Sequence, residues 1–142
     1  MPRIKLSALD RYAFRWEYTI GVRDLNYGGH LANDALAGIL QEARVRALDE
    51  LGYTELNLGD GQTATIMGDS VINFLGEGHL LNTLSIETHF AELRARNLRC
   101  FHRVSGPQGP VALAEAGIIG FNYGTRKVVA FPVAFLEKLQ KL

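Results

Sequence analysis

One stretch of the chain repeats its apolar residues with the period of a long α-helix. Within 35–51 they recur at spacings of three and four, which places them on a single stripe: Leu36, Ile39, Leu40, Ala43, Ala47 and Leu51. Asn33 or Asp34 is suited to the N-cap, and Gly52 stands where a left-handed residue ends a helix. The pattern therefore predicts one long helix over 33–51, whose apolar stripe needs a cover.

The segments around this helix have the residue pattern of strands. Residues 14–22 alternate apolar and polar side chains, which is typical of a half-buried strand. A connection rich in Gly, Asn and Asp (53–62) precedes the remaining strand-like stretches, which are 64–75, 82–91, 97–104 and 111–123. Pro132 suits the first turn of a short terminal helix. This order predicts an α+β fold in which an antiparallel sheet wraps around one long central helix.

Composition limits the kind of protein. A chain of 142 residues with 47% hydrophobic and 21% charged residues predicts one globular domain over 1–142. Fifteen basic residues balance fifteen acidic ones, so the positive field of a nucleic-acid binder is missing. No apolar run suits a signal peptide or a membrane span, and the single cysteine, Cys100, is predicted to be unreactive core. We therefore expect a cytoplasmic protein that binds neither nucleic acid nor membrane.

The segment RDLNYGGHLAND, residues 23–34, concentrates polar residues and glycines directly before the long helix. Asn26 can hold a water or a carbonyl oxygen with its amide, or it can form an Asx turn ahead of the glycines. His30 can donate a hydrogen bond or transfer a proton, or it can pack at the helix start. The N–H groups of the first helical turn can support an oxyanion, unless side-chain caps take them.

This loop resembles the motif Asp-x-Asp-x-x-Gly-His-x-Asn-Asn of the hotdog-fold acyl-CoA thioesterases, the group typified by 4-hydroxybenzoyl-CoA thioesterase. The match continues along the chain, and its residues are Asp24, Asn26, Gly29, His30, Asn33, Asp34, Glu42-Ala43-Arg44 and Leu51-Gly52. The stretch VINFLGEG at 71–78 is similar to that family's strand and following turn. Element order agrees over nearly the whole chain, so the resemblance implies a hotdog fold.

The resemblance also implies a function. It is that of a hydrolase acting on acyl thioesters of coenzyme A or acyl-carrier protein, with no cofactor beyond the carrier itself. It implies a homodimer or homotetramer with sites between subunits, and residues 64–73 are the expected partner strand. Two departures stand out: Asn26 replaces an aspartate that is the catalytic carboxylate in many relatives, and Asp34 replaces an asparagine.

Three residues are predicted to be catalytic. Glu42, two turns into the helix, would be the base that activates water, while Asn26 and His30 would position water and substrate. Partial burial is expected to raise the pKa of Glu42. Small residues are expected to leave room on the same side of the helix: Ala35 and Gly38. The alternative for Glu42 is a surface ion pair with Arg46 one turn on.

Further contacts are predicted from the loop and from the strand ends. The loop residues expected to touch substrate are Tyr27, Gly29, Asn33 and Asp34. Basic residues at strand ends are candidates for the phosphates of coenzyme A: Arg94, Arg96, Arg126 and Lys127. The histidines His79, His89 and His102 are scattered rather than set at metal-ligand spacing, so no metal site is expected.

Two other functions remain open. A hotdog hydratase or dehydratase would act on hydroxyacyl thioesters, although the loops typical of such enzymes are not found in this sequence. A binding or sensor protein would hold acyl-CoA without cleaving it, and the amide at Asn26 favours that alternative.

Overall fold

The computed structural model describes residues 3–142, in which one long helix lies against the inner face of an antiparallel sheet. In chain order the elements are β1 (Phe14–Thr19), α1 (Asn33–Glu50), β2 (Ala64–Phe74), β3 (Thr83–Ala91), β4 (Asn97–Gly106), β5 (Gly109–Asn122), β6 (Lys127–Val128) and α2 (Val133–Gln140). The strands lie in the order β1-β3-β4-β5-β2, and the short β6 pairs with β5. The predicted α+β arrangement is confirmed, and β6 is an addition to it.

The stripe predicted on α1 is the side that packs on the sheet. The predicted residues Leu36, Ile39, Leu40, Ala43 and Ala47 are all buried, and so is Leu48. They pack against alternate residues of the central strands, which are Leu84, Ile86, Val104, Ala112, Ala114 and Ala116. The facing positions on β5 are occupied by small residues, whereas those on β3 are occupied by leucine and isoleucine. Periodicity therefore identified both surfaces of the core.

Gly52 ends α1 as predicted. Its φ is +87°, and its N–H donates to Asp49 O at 2.9 Å. The next N–H, that of Tyr53, donates to Leu48 O at 2.9 Å. These two bonds form a Schellman motif, which satisfies carbonyls that a helix end otherwise leaves free.

The first strand is shorter than predicted. β1 ends at Thr19 rather than at Val22, because residues Val22–Asp24 form a single turn of 3-10 helix. Asp24 holds that turn, since its carboxylate accepts the Gly21 N–H at 2.8 Å. Val22 is consequently 72% exposed, although the alternation predicted it on the apolar face.

β2 forms one edge of the sheet. It pairs with β5 along its whole length, and no other strand within residues 3–142 pairs with its outer side. A bulge at Gly68 shifts the register between Met67 and Asp69. An eleven-residue strand with an open edge is a template for pairing with another strand.

A glycine within α1 and the glycine that follows it should respond oppositely to the same substitution. Gly52→Ala should lower the free energy of unfolding by about 1 kcal/mol, because alanine is strained at positive φ. Gly38→Ala should raise it by about 0.5–1 kcal/mol, because a Cβ there meets no atom within 4 Å and alanine favours the helix interior. Urea unfolding at one fixed chain concentration measures both changes. Shifts of the same sign would contradict the assignment of the helix end.

Candidate functional site

Asp24 fixes the loop that precedes α1. Its carboxylate accepts the Tyr18 hydroxyl at 2.7 Å as well as the Gly21 N–H. This hydrogen bond, with burial, raises the pKa of Tyr18 to about 12. The Asp24 carbonyl accepts the Ala32 N–H at 2.8 Å, so one residue ties the two ends of the loop together. The role of Asp24 in the motif is therefore to position the residues that follow it.

Asn26 closes the turn between these ends. Its backbone N–H donates to His30 O at 2.9 Å, and its Oδ1 accepts the His30 N–H at 3.3 Å. Gly29 has the positive φ expected of the glycine pair, at +82°, whereas Gly28 does not. A Cβ on Gly28 would lie 3.3 Å from Asn26 Oδ1 and 3.4 Å from His30 Nε2, so this glycine leaves space between the two side chains. The Asn26 oxygen thus serves the turn, and its amide NH2 has no hydrogen-bond acceptor among the described residues.

A cavity of about 360 Å³ lies beside this turn. Its walls come from the loop, the start of α1 and the end of β2, through Asn26, His30, Leu31, Asn33, Phe74, Gly76 and Glu77. His30 Nε2 lies 3.3 Å from Glu77 Oε2, and His30 Nδ1 lies 3.3 Å from Leu31 O. The site therefore contains an imidazole between two oxygen acceptors, one of them a carboxylate.

Glu77 was not predicted as a site residue. It belongs to VINFLGEG, which the family resemblance had marked only as a strand and turn. The contact with His30 depends on how the turn after β2 folds back toward the loop, where Leu31 N–H donates to Gly78 O at 2.8 Å. A glutamate in the turn directly after the strand was the available signal in the sequence.

The first turn of α1 has no side-chain cap. The N-cap residue is Ala32, so the prediction that Asn33 or Asp34 caps the helix is wrong. The reason is a contact with the preceding loop. Ala32 N–H donates to the Asp24 carbonyl, and this bond places the start of the helix one residue before the predicted cap at Asn33. The first intrahelical bond runs from Leu36 N–H to Ala32 O at 3.0 Å, and three earlier N–H groups have no acceptor within residues 3–142: those of Asn33, Asp34 and Ala35.

The other predicted substrate residues are divided by the fold. Asn33 lines the same cavity as Asn26 and His30. Asp34 instead lines a separate hollow with Tyr18 and Asp24. Tyr27 is fully exposed at the tip of the turn and lines neither space.

Glu42 lies away from this cavity. Its side chain is 50% exposed, and its Oε1 is 3.7 Å from Arg46 Nη2, which is the surface pair given as the alternative. Arg46 in turn lies over the Trp16 ring at 4.4 Å, so this part of the helix faces β1 rather than β2. Nine residues separate Glu42 from Asn33, which is roughly 13 Å along the helix axis. The partial burial expected for Glu42 is not found in the single chain.

The small residues predicted beside Glu42 are also divided. Ala35 faces the hollow beside Tyr18, on the β1 side of the helix. Gly38 lines a groove against β2. Ala35 and Gly38 therefore flank Glu42 on one side of the helix, as expected, but they line different hollows and do not form a single space beside it.

The four basic candidates lie together at the other end of the sheet. Arg94 and Arg96 are in the β3–β4 loop, while Arg126 and Lys127 are at the turn into β6. Gly120 N–H donates to Arg96 O at 2.9 Å, which joins the two regions. All four residues are exposed, and none forms an ion pair in the described part of the chain. This end adjoins the start of β2, roughly 33 Å from its end at the cavity.

The groove between α1 and β2 has a polar floor that was not predicted. Arg44 is only 6% exposed, and its Nε donates to Glu55 Oε1 at 2.6 Å. His102 is also buried, and its Nδ1 forms a 2.9 Å hydrogen bond with Thr88 Oγ1. Burial, with a smaller effect of Arg44, lowers the pKa of His102 to about 3, so the ring is uncharged at neutral pH. Burial raises the pKa of Cys100 to about 12, as suits its predicted place in the core.

Within residues 3–142, no helix has the length and apolar character needed to span a membrane. In the same part of the chain, no group of three or more His, Cys, Asp or Glu side chains is arranged to hold a metal ion.

An antiparallel sheet curved around one long helix, with a Gly-His turn at the start of that helix, defines the hotdog fold. Solved structures agree closely. A 1,4-dihydroxy-2-naphthoyl-CoA thioesterase from Synechocystis gives a TM-score of 0.81 at 17% identity, covering 91% of this chain and 96% of its own. A Staphylococcus aureus protein in complex with CoA gives 0.82 at 15%, covering 96% and 87%. A gentisyl-coenzyme A thioesterase gives 0.79 at 16%, covering 89% and 99%.

The sequence itself matches a protein family. The family described as the thioesterase-like superfamily matches residues 20–139, which include the loop, the long helix and every strand of the sheet except β1. A comparison with curated protein sequences gave no significant match. The chain belongs to the thioesterase-like superfamily, and the resemblance drawn from the loop motif is confirmed.

The buried His102 predicts a stability that falls in mild acid. Its pKa in the folded chain is far below the ordinary value of 6.5, so protons bind preferentially to the unfolded chain. The stabilisation is complete above about pH 6.5 and is lost as the pH falls toward about 3. Denaturant unfolding should show a decline of up to about 1.4 kcal/mol per pH unit relative to a His102→Gln variant. Parallel pH curves for the two proteins would contradict this, since other histidines, including His89, are common to both.

Proposed function

We propose that this protein hydrolyses acyl thioesters of coenzyme A. The observation that carries the proposal is a juxtaposition: the uncapped first turn of α1 and the His30–Glu77 pair border one cavity. Free N–H groups at the positive end of a helix stabilise a developing oxyanion. An imidazole beside a carboxylate can take a proton from water. Hydrolysis of a thioester needs both an oxyanion donor and a base. The chain also belongs to a superfamily named for thioesterases.

The proposed reaction begins with a water held by the His30 ring. As the water oxygen attacks the thioester carbonyl carbon, its proton passes to the imidazole, and Glu77 stabilises the cation that forms. The carbonyl oxygen becomes an oxyanion at the free N–H of Asn33, the residue of the first turn that lines the cavity. Collapse of the intermediate breaks the carbon–sulfur bond, and the leaving thiolate takes the proton from His30. The products are the free acid and coenzyme A.

Asn26 has a positioning role in this scheme. Its oxygen is engaged by the His30 N–H, and its amide NH2 remains available to the substrate carbonyl or the water. The assignment of Glu42 as the base is a separate prediction from the family resemblance. Its surface pairing with Arg46, on the β1 side of the helix, favours His30 and Glu77 instead.

We further propose that the site is completed by a second copy of the chain. If β2 pairs antiparallel with the β2 of another subunit, Ala64 of one chain lies opposite Phe74 of the other. The basic end of one subunit, with Arg96 and Lys127, then adjoins the cavity of its partner. Guanidinium and ammonium groups suit the phosphates of coenzyme A. The homodimer is therefore the smallest assembly that would hold both the thioester and its carrier.

The solved relatives support the choice of carrier and reaction. One was solved with CoA bound, and two are thioesterases of aromatic CoA esters. The identities of 15–17% make these relatives a guide to the carrier and not to the acyl group.

A binding or sensor protein is the second candidate, and the amide at Asn26 favours it. Such a protein would show acyl-CoA-dependent thermal stabilisation without thiol release. Release of free thiol from short, long and aromatic acyl-CoAs distinguishes the two functions directly.

Removal of the His30 imidazole should abolish most of the hydrolysis. His30→Ala should lower kcat by about 100-fold or more, because general base catalysis contributes that much. Glu77→Gln should lower kcat by about tenfold, because the imidazolium loses its carboxylate neighbour. Thiol release at saturating acyl-CoA measures both.

Glu42→Gln is the decisive comparison, and Glu137→Gln on the exposed face of α2 is the matched control. If Glu42→Gln loses activity while His30→Ala keeps full activity, Glu42 and not His30 is the general base. Full activity in both variants would rule out this site.

The basic end should affect binding more than turnover. An Arg96→Glu and Lys127→Glu double variant should raise KM for acyl-CoA about threefold or more with little change in kcat, and added salt should shrink the difference. Arg15→Glu, on the exposed face of the far edge strand, is the control. An unchanged KM in the double variant would remove the basic end from the coenzyme A site.

A further inference from the structure

Residues 3–13, which we call the N-terminal strap, lie across the outer face of the sheet, the face turned away from α1. The strap follows one cross-strand row of that face, formed by Asn73, Leu113, Arg103 and Glu87. Leu6 N–H donates to Asn73 Oδ1 at 2.7 Å, and the Arg103 guanidinium lies 4.8 Å from the centre of the Tyr12 ring. Asn73 and Arg103 are two strand spacings apart, roughly 10 Å, which the extended chain from Leu6 to Tyr12 readily covers.

The strap is attached to the sheet through side chains. Within residues 3–142, none of its backbone groups is hydrogen-bonded to a backbone group of the sheet. Asn73 supplies two bonds at the β2 end, because its Oδ1 accepts the Leu6 N–H and its Nδ2 donates to Ile4 O at 3.0 Å. Three apolar side chains of the strap are partly buried, at a spacing of three residues: Leu6, Leu9 and Tyr12. A segment with so few contacts can open without unfolding the rest of the chain.

His89 holds the corner at which the strap joins β1. Ala13 N–H donates to His89 Nδ1 at 3.2 Å, directly before β1 begins at Phe14. Nδ1 can accept this bond only while it carries no proton. Burial, with a smaller effect of Arg11, lowers the pKa of His89, so the ring is uncharged at neutral pH. Protonation of Nδ1 would set two N–H donors against each other and break the bond.

The charged groups around His89 do not favour its protonation. Those on neighbouring outer-face positions are engaged in ion pairs, which are Glu87 with Arg103, Arg99 with Glu115 and Asp69, and Arg15 with Glu17. Arg11 is the strap residue whose charge acts on His89, and like charges repel. A protonated His89 therefore both loses its bond to the strap and is repelled by it.

We propose that the N-terminal strap is a pH-sensitive cover of the outer face, closed while His89 accepts the Ala13 N–H and open once the ring is protonated. The closed strap binds fewer protons than the open one, so opening is favoured as the pH falls below 6.5, the ordinary pKa of histidine. Opening removes cover from the apolar residues of that face, Phe101 and Leu113. The device is separate from the proposed hydrolysis, whose cavity lies at the start of α1.

Amide hydrogen exchange in the full-length chain measures the opening, with the Ala13 and Leu6 amides reporting the two ends of the strap. After correction for intrinsic exchange, the opening constant should rise about three- to tenfold between about pH 7.5 and about pH 5.5. The Cys100 amide in β4 reports global unfolding, and its exchange should remain slower than that of the strap at both pH values. A pH response at Ala13 without one at Leu6 would contradict a strap that opens as a unit.

Two substitutions of His89 separate the protonation from the packing of the ring. His89→Gln offers an amide oxygen that accepts the Ala13 N–H and does not titrate, so exchange should stay slow at both pH values. His89→Leu offers no acceptor, so exchange should be fast at both. His79→Gln, an exposed histidine in the turn before β3, is the matched control and should keep the wild-type response.

The inference is overturned if His89→Gln responds to pH as strongly as the wild-type chain. Slow strap exchange in His89→Leu at neutral pH would overturn it as well, because the bond to Ala13 would then not hold the strap. If His89→Leu does not fold, the comparison of the wild-type chain with His89→Gln and His79→Gln still decides, since equal responses in all three would exclude His89 as the group that titrates.

Discussion

The burial of one side of α1 against the sheet is the interaction on which the rest of the molecule depends. Most core residues belong either to that side of the helix or to a strand, and α2 and the loops supply the rest. The packing fixes the helix along its whole length, and therefore fixes where its first turn meets the end of β2. Asp24 determines the residue at which the helix starts, because its carbonyl accepts the Ala32 N–H. The position of the free N–H groups follows from the core.

The sequence predicted what depends on local pattern. The period of three and four gave the helix to within one residue and gave the buried stripe, and Gly52 marked the helix end because only its backbone freedom suits that position. Predictions that depended on a tertiary neighbour were less successful. The cap at Asn33 was wrong because a distant carbonyl decides the start of the helix. Glu77 was missed as a functional candidate because its neighbour, His30, comes from another part of the chain.

The distribution of predicted residues along β2 is the reason for proposing a homodimer. The loop residues adjoin Phe74, whereas the basic residues adjoin the start of the strand at Ala64. If a thioester of coenzyme A lies at the loop of one chain, the basic residues of that same chain lie at the opposite end of β2. They are then too far away to contact its phosphates. Antiparallel pairing of two open β2 edges removes the separation, because it reverses the direction of the second strand. The same edge that would otherwise favour aggregation thus supplies the proposed assembly.

Asn26 is best understood through its neighbours rather than as a lost aspartate. Its oxygen accepts the backbone N–H of His30, while the His30 ring reaches Glu77, so residue 26 holds the turn and Glu77 is the carboxylate at the imidazole. An aspartate at position 26 would add a second negative charge to the cavity that Glu77 lines, and like charges disfavour each other's ionisation. An amide preserves the turn and leaves a single carboxylate to support the imidazolium. In the proposed mechanism the negative charge has therefore moved from the loop to the turn after β2, where it acts through His30 rather than directly on water.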